Sequence, residues 1–129
     1  MLTTNSPVFY RINGYDLCYF QAIQVTVPIS GSYSFKSDSF LDAYGYLYAN
    51  TFDPSNPKAN VLIEDDDTGG YQQFLINYWM QYGYTYVLVF TTYSPRVTGT
   101  FSIVASGPAR VNLKYLHVMP LSTTTVFSE

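Results

Sequence analysis

Four of the nine acidic residues in this chain stand side by side, in the run Glu64-Asp65-Asp66-Asp67, directly before Thr68-Gly69-Gly70. Adjacent like charges repel, so the run points to a solvated turn, to a cation that neutralises it, or to a basic partner. A hard cation such as Ca²⁺ collects about six to eight oxygens from carboxylates, carbonyls and water. Consecutive aspartates cannot all point at one centre. Asp65 with Asp67, or Asp66 with a backbone carbonyl, can do so, and Asp42 or Asp53 can complete the shell from a neighbouring segment. The candidate metal ligands are therefore Asp42, Asp65, Asp66 and Asp67, with calcium as a structural cofactor. The spacing is not that of an EF-hand loop, and the affinity expected is the ~0.1–1 mM of extracellular modules. The competing reading is a capped acidic turn with no ion. Aspartates hydrogen-bond nearby backbone N–H groups, and glycine supplies the positive φ that a tight turn requires.

Other chemistry is thinly represented. The chain has one histidine, His117, and one cysteine, Cys18, which together supply neither a multi-histidine zinc site nor a CxxC pair. A Cys18–His117 nucleophile pair would have to meet in space without any local signature. No G-x-S-x-G elbow and no phosphate-cradling glycine loop occurs. Asp42 and Asp66 could flank a glycosidic bond only at a separation the sequence does not give. No catalytic residue is assigned, and the expectation is a protein that is not an enzyme.

Aromatic residues are the abundant resource: 14 Tyr and 9 Phe beside a single Trp. In the stretch DAYGYLYA, alternation places Asp42, Tyr44, Tyr46 and Tyr48 on one face and Leu41, Ala43 and Leu47 on the other, with Gly45 on the aliphatic side. With the aliphatic face inward, the tyrosines form an exposed ladder. Trp79, Tyr82 and Tyr84, followed by Tyr86, make a second such group. Exposed rings can stack on sugars or pack against another protein while the hydroxyl stays wet. The plainer alternative is that tyrosine is a good strand residue, stabilised by cross-strand pairs.

These side chains must be positioned by β structure. Short aromatic and β-branched runs recur between clusters of Gly, Pro, Asn and Asp, which predicts an all-β, antiparallel β-sandwich. Strands are expected at 8–12, 17–27, 32–37, 40–48, 61–64, 71–77, 84–93, 99–105 and 110–118, with the longest loop at 49–60. Only QFLINYWMQY offers a weak helical alternative. The run 17–27 changes phase, because Phe20 and Ala22 share one face while Ile23, Val25 and Val27 share the other. Either a bulge near Ala22 or burial of both faces reconciles the two.

The 129 residues suit one domain, 1–129, with a possible extended arm at 1–12 and a tail at 119–129. Six scattered basic residues and a net charge of −3 provide no stripe for phosphates, so nucleic acid is not an expected partner. No apolar run approaches the ~20 residues of a membrane-spanning helix. No signal peptide is visible at the start of the chain. The terminal segments could add a strand to a neighbour's open edge, so a second expectation is a homo-oligomer or filament subunit.

From Gly31 onward the order GSYSF, LDAYGYLY, DDDTGGYQQFLINYWMQYGYTYVLVFTTY and TGTFSI resembles the bacterial-type pre-peptidase C-terminal domain family, over roughly residues 31–105. The matching elements fall on Asp42 to Tyr48, Asp66 to Gly70, Phe74 to Ile76, Gly83 to Val89 and Gly99 to Ile103. The resemblance implies a jelly-roll-like β-sandwich outside the cell or at its surface. It implies an accessory or adhesion module whose partner is a carbohydrate or an extracellular protein. Calcium at turns of this kind is also part of what the resemblance implies.

Overall fold

The computed structural model describes residues 1–117, and the expected tail at 119–129 lies outside them. The described residues form ten strands: β1 (Val8–Tyr10), β2 (Leu17–Tyr19), β3 (Gln21–Thr26), β4 (Gly31–Ser39), β5 (Ala43–Ala49), β6 (Val61–Asp65), β7 (Leu75–Met80), β8 (Tyr86–Thr92), β9 (Phe101–Ser106) and β10 (Asn112–Leu116). All named pairings are antiparallel. A five-stranded sheet in the order β10-β3-β8-β5-β6 faces a three-stranded sheet in the order β7-β4-β9, and β1 and β2 form a separate ribbon. The fold is thus an all-β sandwich.

Alternation on β4 builds one layer of the core. Tyr33 and Phe35 point inward, whereas Ser32 and Lys36 point to water. Their inner side meets Ile76 and Met80 of β7 and Ile23, Val25, Leu47, Leu88 and Phe90 of the larger sheet. Phe90 stacks on Phe101 with ring centroids 3.8 Å apart, joining the two sheets. Gly45 lies under the ring of Phe74, where a Cβ would come within 2.7 Å, so the close approach of β5 to this ring requires glycine.

A second core lies on the opposite face of the five-stranded sheet. Phe9, Ile12, Cys18 and Phe20 from the N-terminal segment cover Ala22, Tyr46, Tyr48, Val87 and Val89. Every residue of β8 is consequently buried, as expected of a strand covered on both faces. The phase change in 17–27 has the same origin. β2 ends at Tyr19, Phe20 and Ala22 enter the second core, and Ile23, Val25 and Val27 enter the first.

The N-terminal segment is not a free arm. Leu2 is buried and bridges Gly99 through backbone bonds of 2.8 and 2.9 Å, and β1 pairs with β2. Its apolar residues find their partners within the chain, which is why 1–12 folds back. The stretch QFLINYWMQY contributes strand β7. That strand begins four residues later than the alternation predicts, because Gly70, Tyr71 and Gln72 all have φ between 54° and 78°, a conformation that cannot join a ladder.

Candidate functional site

The acidic run straddles the end of β6. Asp65 completes that strand and turns its carboxylate back on the turn. Its Oδ1 accepts the Thr68 hydroxyl, and its Oδ2 accepts the N–H groups of Thr68 at 3.1 Å and Leu75 at 2.9 Å. These bonds use Asp65 to shape the turn, and of the four ligands expected from sequence it is the one that does not join the converging carboxylates. Asp53 is also elsewhere, its Oδ1 accepting the N–H and hydroxyl of Ser55.

Asp42, Asp66 and Asp67 do come together. One carboxylate oxygen from each lies within 4.8 Å of the others. Asp42 is brought in by the segment before β5, which is pinned where Ala43 N–H donates to Gln72 O and Tyr93 N–H donates to Asp42 O, both at 2.9 Å. Asp42 Oδ1 and Asp66 Oδ1 are buried and have no hydrogen-bond partner in the protein. Burial and then the charges of Asp67 and Asp42 push the Asp66 carboxyl up to about 6. Burial and then Asp67 raise Asp42 as well. Three converging carboxylates, two of them with desolvated and unsatisfied oxygens, can hold a metal ion.

The residue that sequence reasoning overlooked here is Arg11. It is buried, and its field lowers the carboxyls of both Asp42 and Asp66. Arg11 Nε donates to Tyr93 O at 3.0 Å and Nη1 donates to Ile12 O at 3.1 Å. The guanidinium lies over the rings of Tyr44 and Tyr93, 4.9 and 4.7 Å from their centroids. The signal was present in the sequence as a lone cation inside the apolar run VFYRI.

The expected ladder of exposed tyrosines on β5 is not formed. Tyr46 and Tyr48 are fully buried in the second core, and Tyr44 is half-buried with its hydroxyl donating to Glu64 at 2.8 Å. The physical reason is the covering layer. Phe9 and Phe52 pack on Tyr46 and Tyr48, with centroids 6.2 and 4.7 Å apart respectively. Tyr48 donates its hydroxyl to Pro57 O at 2.7 Å, so its polar end is satisfied. Tyr86, at the end of the other group, is also buried.

Trp79, Tyr82 and Tyr84 are exposed, at 58%, 65% and 58%. Trp79 stands on the outer face of the three-stranded sheet, paired with Ser32 of β4. The same face continues through Asn77, Ser34 and Ser106, the two serine hydroxyls lying 2.6 Å apart, to Lys36 and Val104 and then to Asp38 and Ser102. Tyr82 and Tyr84 belong to the loop after β7, where Tyr82 N–H donates to Ser30 Oγ at 2.8 Å. At the other end of this face Phe40 and Tyr71 are completely exposed, and neither was singled out by alternation.

Cys18 and His117 are not drawn together as a reactive pair. Cys18 is buried with its thiol directed at Ser94 O, and its pKa is raised by burial. His117 is exposed beside Thr3, Pro7 and Leu116. Among the described residues no helix is long and apolar enough to cross a membrane. Comparison with family models, with curated proteins and with solved structures finds no match to the chain.

Proposed function

We propose that this protein is a non-catalytic extracellular binding module that recognises the glycan of a polysaccharide or glycoprotein through the outer face of its three-stranded sheet. The observation that carries the reading is Trp79, more than half exposed on an outer sheet face among serine and asparagine side chains. An indole held open to water offers a platform for the apolar face of a sugar ring, and the adjacent hydroxyl and amide groups suit its hydroxyls. Tyr82 and Tyr84 are exposed in the loop that follows β7 at the same end.

In this reading the three carboxylates Asp42, Asp66 and Asp67 hold a structural calcium ion. Their all-oxygen donor set suits a hard cation. Arg11 already supplies one positive charge, which is in keeping with weak binding. The ion would hold the turn after β6 against the start of β5 and take no part in recognition. The jelly-roll-like connectivity and the resemblance to pre-peptidase C-terminal domains belong to the same proposal. Assembly by strand addition is less favoured, because residues 1–12 already pair within the chain.

Affinity electrophoresis through gels containing hydroxyethylcellulose, xylan, galactomannan or starch tests the function. The wild type should be retarded by at least one of them, and Trp79→Ala should lose the retardation while melting at the same temperature. Equal mobility of the two proteins in every gel would overturn the reading.

A further inference from the structure

Beyond Tyr71 the outer face of the three-stranded sheet ends in a cleft of about 450 Å³. Its walls are Lys36, Asp38 and Ser39 from β4 and Gly70, Tyr71 and Gln73 from the turn before β7. Tyr71 reaches full exposure through a left-handed backbone: φ is 78° at Gly70, 54° at Tyr71 and 64° at Gln72. Side-chain-bearing residues rarely hold this conformation, and they persist in it only where the surroundings over-determine it.

Gln73 does so here. It is buried, its Oε1 accepts the hydroxyls of Ser37 at 2.9 Å and Ser39 at 3.0 Å, and its Nε2 donates to Leu41 O at 2.9 Å. The same amide reaches Gln72 O at 3.1 Å and Tyr71 O at 3.3 Å. One side chain thus pins the loop carrying Phe40 to the loop carrying Tyr71 and fixes the wall of the cleft.

We infer that the ligand is an extended, neutral polysaccharide chain lying along β4, with one end on Trp79 and the other in the cleft beside Tyr71. This rests on the glycan-binding reading above and adds the ligand's length and charge. The two ends are connected by the register of β4: Ser32 faces Trp79, and Asp38, six residues later, lines the cleft. At ~3.3 Å per residue they are about 20 Å apart. A single sugar can occupy one end only, whereas a chain of several can reach both.

The charge follows from the walls. Lys36 and Asp38 stand two residues apart on the same face and offset each other, and the other residues between the two ends are uncharged: Ser34, Asn77 and Ser106, then Leu75 and Val104 beside Lys36. A sulfated or otherwise polyanionic chain would find one cation with an adjacent carboxylate.

The test is isothermal titration of the wild type, Trp79→Ala, Tyr71→Ala and Tyr71→Phe with oligosaccharides of one to eight units, cut from the polysaccharide that retards the protein. Affinity should rise about tenfold or more between the dimer and the hexamer. Tyr71→Ala should remove that rise and leave dimer binding unchanged, Tyr71→Phe should keep it, and Trp79→Ala should lose binding at every length. Because Ala at position 71 retains the left-handed strain, Tyr71→Gly, which relieves it, serves as the second variant and should behave like Tyr71→Ala. Affinity independent of length, or unaltered in both Tyr71→Ala and Tyr71→Gly, overturns the extended-chain inference while leaving glycan binding standing. Preference for dextran sulfate over neutral chains overturns the charge assignment. No binding to any polysaccharide removes the inference together with the reading beneath it.

Discussion

The Oδ2 of Asp65 accepts the backbone N–H of Leu75 at 2.9 Å, so the last residue of one sheet's edge strand holds the first residue of the other sheet's edge strand. The side chain that begins the aspartate run is a latch between the two layers. Its neighbour Asp66 instead converges with Asp42 and Asp67 and keeps one buried oxygen without a hydrogen-bond partner in the protein.

Melting experiments separate the two roles. Asp65→Ala leaves the part-buried Leu75 N–H without its acceptor and should lower stability by about 1–3 kcal/mol, with or without calcium. Asp66→Asn should melt at or above the wild-type temperature in EDTA, because it removes a penalised charge. It should also abolish the calcium-induced increase. In wild type, calcium at 100 times its Kd adds about 2.7 kcal/mol, or several degrees. A calcium shift that survives Asp66→Asn would remove the triad as the cation site.

The pH dependence has a defined sign. Asp66 is pushed up to about 6 by burial and by the carboxylates beside it. A carboxyl raised in the folded state binds its proton more tightly there than in the unfolded chain. Its contribution to stability is therefore complete below the ordinary carboxyl pKa and is lost as pH climbs through about 6. In EDTA the protein should melt higher at about pH 5 than at about pH 7.5. Calcium competes with the proton for the same oxygens, so its stabilising effect at a fixed calcium concentration should be larger at the higher pH than at the lower. A flat EDTA profile across this window would contradict the environment assigned to Asp66.

Tyrosines on the two sides of the molecule should respond oppositely. Tyr46 is fully buried among Phe9, Tyr44 and Tyr48, so Tyr46→Ala should cost about 3–5 kcal/mol by analogy with large aromatic truncations. Polysaccharide affinity of the fraction that folds should be unchanged. Urea unfolding followed by titration of the folded protein checks both halves, and weakened binding by folded Tyr46→Ala would return the β5 tyrosines to the recognition surface.

How far the sequence foretold this arrangement depended on how many layers cover each strand. On β4, where one face is dry and the other wet, alternation alone identifies Tyr33 and Phe35 as inward and Ser32 and Lys36 as outward. On β5 the same alternation separates Tyr46 and Tyr48 from Leu47 correctly, yet both sets are buried. The layer covering the tyrosines comes from Phe9 and Phe20, distant in the chain, and from Phe52 in the loop after β5, none of them visible to the period of the strand itself.

The acidic run was legible as a special turn and two of its three aspartates converge with Asp42, but which aspartate turns away depends on the placement of Leu75 and Thr68. Tyr71 gave no signal because nothing in its residue type announces a left-handed backbone.

The fluorescence of Trp79 tests the central claim most directly. It is the only tryptophan in the chain, so emission reports on one surface without interference. Titration with the retarding polysaccharide should shift the emission to shorter wavelength along a saturable curve, as the exposed indole leaves water for a sugar face. Tyr82→Ala should weaken the midpoint without changing the melting temperature. Saturable binding detected by calorimetry with no change in Trp79 emission would contradict the account and place the ligand on another face.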